Sequence, residues 1–116
     1  MGKTIKTAKL LDAVSIGAAG VQLTVPVDLQ HLVEVGKYSL SYTITGAGTI
    51  KLEYLVCQTK TGTYIAPAGV SPIGETLAVG SGSIAFTPVL SPFIKIRATE
   101  DGGAAAAVLS LWLNVQ

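Results

Sequence analysis

Between Lys37 and Cys57 the chain alternates apolar and polar residues in two arms, KYSLSYTIT and TIKLEYLVC, around Gly46-Ala47-Gly48. Period-two alternation marks a half-buried strand, and a short glycine-rich connector marks a hairpin. Symmetric pairing about Ala47 sets Ile44 opposite Ile50, Tyr42 opposite Leu52, Leu40 opposite Tyr54 and Tyr38 opposite Val56. These residues form one apolar face, with Leu55 as the exception. The other face carries Ser39, Ser41, Thr43, Thr45, Lys51 and Glu53. A one-residue slip would turn the apolar set into water, so the faces are strongly specified. A hairpin of this kind needs a second layer to cover it.

The flanking segments supply that layer. Thr4 to Ile16 reads as a strand, with Leu10, Val14 and Ile16 on one parity and Asp12 breaking it, although KLLDAV within it also fits a helical turn. Gly17 to Gly20 is a turn. VQLTVPV is a short strand with Val21, Leu23 and Val25 on one face, and Pro26 ends it or places it at an edge. DLQHLVEVG predicts one short helical turn, with Asp28 as N-cap, Leu29, Leu32 and Val33 at helical spacing and Gly36 as the stop. QTKTG is a polar loop, Thr63 to Ala66 a short strand, and Pro67 to Gly74 an irregular surface loop. ETLAV and SIAFTPV flank Gly80-Ser81-Gly82 as a second hairpin. Pro88 and Pro92 bracket VLS and argue for an edge or a crossing between sheets. FIKIRAT and the terminal AAAAVLSLWLNVQ form a third hairpin about Asp101-Gly102, pairing Ala98 with Ala105, Ile96 with Ala107 and Ile94 with Leu109.

About eight short strands, with turn signals roughly every 8 to 12 residues, predict an all-β fold in one domain spanning residues 1–116. The long proline-containing crossings favour an antiparallel β-sandwich of jelly-roll-like topology over a meander.

Composition adds a second expectation. Charged residues make up 13% of the chain, against about 25% in a typical soluble protein. Mean hydropathy is +0.56 and the formal net charge +1. Such a surface is poorly protected against association, so much of it is expected to be covered by copies of the chain or by a larger assembly. No run of about 18 apolar residues could span a membrane, and Lys9 and Asp12 interrupt the N-terminal segment where a signal peptide would need a compact apolar block. The charges form no basic stripe, which argues against direct nucleic-acid binding. Cys57 is the only cysteine, so it makes no internal disulfide; a free thiol suits a reducing compartment such as a bacterial cytoplasm.

Candidate chemistry is sparse. His31, with Asp28 and Glu34 three residues to either side, is the one arrangement resembling a metal or acid–base cluster, and the same pattern describes a solvated helix face. Glu100 and Asp101 read as turn acids. No nucleophile elbow, phosphate loop, dinucleotide fingerprint or zinc spacing occurs, so neither a catalytic residue nor a cofactor or metal is expected. Candidate contact residues lie elsewhere. Trp112 shares its face with Phe93 and Val108 and is either a subunit-contact anchor or a residue of a second apolar face. Ala104 to Ala107 allow close approach of another layer or subunit, or mark a thin end of the core; Ala104 and Ala106 are the exposed candidates. Trp112, Phe93 and Tyr64 are also the aromatics a carbohydrate-binding module would use, the principal alternative role.

The succession VPVDLQHL, then YSLSYTITGAGTIKLEYLVCQTKTGTYI, then SPFIKIRATEDGG and an apolar terminal strand resembles small β-sandwich virion proteins of tailed bacteriophages. QTKTGTYI takes the place of their short polar loop, with Gly62 and Tyr64 in the matching roles. The resemblance covers most of residues 20–116. It implies a non-enzymatic structural component, either a capsid decoration or stabilising protein or a head- or tail-associated piece. It further implies homotrimers or other symmetric oligomers, docking on major capsid or tail proteins, and residence in the virion after assembly in the bacterial cytoplasm.

Overall fold

The computed structural model describes residues 6–30, 37–89 and 91–116. It contains nine strands: β1 (Lys6–Ile16), β2 (Val21–Leu23), β3 (Val27–Asp28), β4 (Tyr38–Gly46), β5 (Ile50–Cys57), β6 (Gly74–Leu77), β7 (Gly80–Phe86), β8 (Phe93–Glu100) and β9 (Ala107–Val115). They form two antiparallel sheets, ordered β1-β9-β4-β7 and β2-β8-β5-β6, with β3 also on β8. Read in the same direction, each position in one sheet is joined through the chain to the same position in the other: β1 to β2, β9 to β8, β4 to β5, β7 to β6. That order makes the sandwich a jelly roll.

The three expected hairpins are therefore arches. β4 pairs with β9 and β7, not with β5, and β5 pairs with β8 and β6. β8 and β9 likewise lie in different sheets, as do β6 and β7. The expected faces nevertheless hold. Leu40 and Ile44 of β4, Ile50, Leu52 and Tyr54 of β5, Ile94, Ile96 and Ala98 of β8, and alternate residues from Ala107 to Val115 of β9 are all buried in one core. Alternation selects which residues face inward, and an arch satisfies it by turning the two inward faces toward each other across about 10 Å.

Other expectations shift for local reasons. Two bulges in β1, either side of Leu11, change its parity twice. Leu11 and Ile16 are both buried although they differ in parity, and Asp12 is exposed beside Ala13, whose φ is +49°. Asp28, the expected N-cap, lies in β3 and accepts the Gln30 N–H at 2.8 Å. No helix occurs among the described residues, and positions 31–36 of the expected turn lie outside them. The strand expected at Thr63 to Ala66 reduces to one bridge between Ile65 and Val56. Leu55 breaks the β5 alternation yet is 5% exposed; it stands in register with Lys95, whose ammonium is 4.5 Å from the Tyr64 ring.

The alanine run packs within the chain at its inner end. Gly48 donates to the Ala106 carbonyl at 3.1 Å, and a Cβ at Gly48 would stand 2.7 Å from the Ala105 carbonyl oxygen and 3.1 Å from the Ala107 Cβ. Two arches thus meet with no room for a side chain. Gly48→Ala is expected to cost about 2 kcal/mol, read as a lower midpoint in urea with an unchanged slope.

Candidate interaction surfaces

The outer face of the β1-β9-β4-β7 sheet carries mostly small polar side chains. β4 presents Ser39, Ser41, Thr43 and Thr45, β7 presents Ser81, Ser83 and Ala85, and β9 presents Val108, Ser110, Trp112 and Asn114. None of these is charged. The polar groups bond to one another across the strands. Ser41 and Ser83 hydroxyls are 2.7 Å apart and those of Thr43 and Ser81 3.0 Å. The Asn114 amide donates to Ser41 at 3.0 Å and to Ser39 at 3.4 Å, and its carbonyl accepts from Thr7 at 2.8 Å. Ser110 accepts the Ala13 N–H. Trp112 stands half-buried on this face, with the Lys9 ammonium 5.4 Å from its ring.

A polar surface usually resists being covered because its hydrogen bonds to water must be replaced. Here much of that bonding is already internal to the sheet. A partner lying on this face would need to accept from the one O–H that each hydroxyl pair leaves over, and Trp112 with Val108 supplies apolar area.

The opposite sheet differs. Its outer face carries Lys51, Glu53, Lys95 and Arg97, with Glu53 accepting from Arg97 Nη2 at 3.0 Å and Nε at 3.2 Å. This pair is partly solvated and contributes at most about 1 kcal/mol. Along its margin Val21, Leu23 and Val25, at 57%, 43% and 71% exposure, form the outward row of β2 and the residues after it. Between Leu23 and Val25, the inward Thr24 exchanges backbone and hydroxyl hydrogen bonds with Ile96.

At one end of the sandwich three arches converge on a single carboxylate. Glu100 is 1% exposed. Its Oε1 accepts from Ala19 N at 3.0 Å and Gly103 N at 2.7 Å; its Oε2 accepts from Thr49 N and Gly102 N, both at 2.9 Å. These bonds, that from Ala19 foremost, hold the carboxyl down at about 2, against the opposing effect of burial. With four donors already bound the group has no capacity left for a substrate or metal, and its role is to fasten β1–β2, β4–β5 and β8–β9 together.

At another end of the β1-β9-β4-β7 sheet, Lys37, Tyr38, Ser39, Phe86, Thr87 and Asn114 help line an open cleft of about 450 Å³. Phe86 makes tilted ring contacts with both Tyr38 and Tyr54, each with centroids 5.9 Å apart.

The six contact candidates do not form one site. Trp112 and Val108 share the hydroxyl-rich face. Ala104 and Ala106 are exposed on the arch beyond Glu100, and Tyr64 lies on the other sheet over β5. Phe93 is buried, at 8% exposure, in register with Cys57 and Asp28, so little of it is presented outside. His31 and Glu34 lie outside the described residues; among those described, no three His, Cys, Asp or Glu side chains are grouped to hold a metal. No family model and no curated protein matches the chain.

Proposed function

We propose that this chain is a non-enzymatic structural component of a virion, a capsid-decorating or head- or tail-associated protein that acts by self-association and docking on the particle. The observation that carries the reading is the outer face of the β1-β9-β4-β7 sheet: uncharged on three strands, internally hydrogen-bonded, and centred on a half-buried tryptophan. That combination is made to be covered. The low charge of the whole chain and the sequence resemblance to phage virion proteins point the same way. Jelly rolls serve as capsid and as lectin domains alike, so the architecture is compatible with the role without choosing it.

The contact face is tested by Trp112→Arg, which places a charge where a partner would bury an aromatic anchor. Loss of such an anchor weakens association at least about 30-fold. Light-scattering mass against concentration reads this directly, with thermal melting as the folding control. Unchanged association in a folded variant removes the face from the interface.

The open cleft favours a second reading, a carbohydrate-binding module, because its volume lies in the range of small-ligand sites and it combines Tyr38 and Phe86 with Ser39, Thr87 and Asn114. Glycan-array binding that Asn114→Ala abolishes and Trp112→Arg spares would select that reading.

A further inference from the structure

A sheet edge offers unpaired backbone groups to any passing strand, and proteins that remain apart blunt their edges. Three of the four sheet edges here are blunted. β1 has its two bulges, the positive φ of Ala13 and the charges of Lys6, Lys9 and Asp12. β2 has three residues and is followed by Pro26; β3 has two. β6 has four residues, a register shift, Glu75 and a positive φ at Thr76.

β7 carries fewer of these devices: Gly80 at its start has a positive φ and Pro88 stands two residues past its end, but it has neither a charge nor a register shift. Its seven residues, GSGSIAF, pair with β4 in unbroken register from Gly80–Ile44 to Phe86–Tyr38. It contains no charge, proline or bulge, and among the described residues no strand lies on its outer side.

We infer that β7 pairs antiparallel with β7 of a second copy about a two-fold axis at Ser83. The occupant follows from the strand's own sequence. Keeping inward residues inward allows only registers that pair residues of like parity. Of these, the one centred on Ser83 uses all seven residues. It sets Gly80 opposite the partner's Phe86 and Gly82 opposite the partner's Ile84, a small residue against a large one on the inner face. On the outer face it sets Ser81 opposite the partner's Ala85 and Ser83 opposite the partner's Ser83. A register centred on Ile84 would oppose isoleucine to isoleucine and leave Gly80 and Ser81 unpaired. The partner's Ile84 would reach the Tyr42 ring, which already fills the space above Gly82: a Cβ there would be 2.6 Å from the Tyr42 hydroxyl. Pairing joins two four-stranded sheets into one of eight and doubles the hydroxyl-rich face. The contact is isologous and therefore closes at two copies. The inference rests on the self-association proposed above, and not on the particle.

The test uses the full chain with Cys57→Ser, adding Ser83→Cys or Ser81→Cys. Two-fold pairing holds residue 83 and its mate roughly 4.5 to 5.5 Å apart at Cα, within disulfide range, whereas residues 81 are offset by roughly 13 Å along the strands. Under oxidised glutathione, Ser83→Cys is expected to give covalent dimer at least about 10-fold faster than Ser81→Cys. The mass of the wild-type chain should rise toward two copies with concentration, and the Ser83→Cys cross-link should survive Trp112→Arg, which lies two strands away. Equal or inverted cross-linking rates, or a wild-type chain that stays monomeric at its solubility limit, overturns the edge contact. Association abolished by Trp112→Arg but without a Ser83 cross-link overturns the edge contact alone and leaves the face contact standing.

Discussion

Replacing Glu100 with alanine is expected to lower the melting temperature by on the order of 10 °C, although no core volume of an aliphatic residue is lost. The cause is arithmetic of donors. Four backbone N–H groups, on Ala19, Thr49, Gly102 and Gly103, point at the two carboxylate oxygens. Removing the acceptor takes the shared partner from all four at once and frees three arches from one another. Glu100→Gln is no rescue, because an amide nitrogen would face two of the donors with hydrogens of its own. The same geometry sets an acid limit. The folded carboxyl sits at about 2, below the value of roughly 4.3 for an unfolded glutamate, so its stabilisation is complete above pH 4.5 or so. It is lost progressively as pH falls toward 2, where protonation puts a hydrogen among the four donors. Across that range the melting temperature should fall steeply with pH in the wild-type chain and stay nearly flat in Glu100→Gln. A parallel fall in both would assign the acid sensitivity elsewhere.

Glu100 also marks the boundary of what the amino-acid pattern could convey. The alternation of β8 placed Ile94, Ile96 and Ala98 inward, and Glu100 has the same parity. A carboxylate on the inward parity at a strand end was a legible signal of a buried acid with dedicated donors. Its proximity to Asp101-Gly102 invited the simpler reading of a turn. The partners of each strand were not legible. A hairpin and an arch produce the same alternation on either side of the same glycine-rich loop, since each only requires even residues inward on both arms. The difference lies in which long strand competes for the edge: β4 pairs with β9 over nine consecutive positions, and β9 stands 61 residues or more further along the chain. Local spacing does not encode that competition. The β1 bulges were hidden for a related reason. They appear in the sequence only as Asp12 in the wrong place, and the meaning of that interruption depends on Leu111 and Leu109 opposite. Trp112 and Val108 were found because β9 alternates without a break; that their neighbours are hydroxyls bonded to each other required β4 and β7 to be set beside it.

The core makes the sharpest demand on the arch topology. Leu111 has no exposed surface and sits in the middle of β9, between Tyr42 of β4 and Leu11 of β1. Leu111→Ala removes three heavy atoms from a place where β4 is fixed by an unbroken ladder of nine pairs and Leu11 of β1 is wedged between two bulges. The expected cost is about 3 kcal/mol, a large share of a domain stability of roughly 5 to 15 kcal/mol. Val108→Ala on the same strand removes fewer atoms from the opposite, half-open face and should cost well under about 1 kcal/mol. Urea titrations of the two variants compare inward and outward positions three residues apart. Comparable losses would mean that Val108 is as enclosed as Leu111 in the isolated chain. In associating protein the comparison acquires a second use. If the outer face is covered by a partner, the Val108→Ala deficit grows with protein concentration while the Leu111→Ala deficit stays fixed, because only the first residue exchanges water for another chain when copies meet.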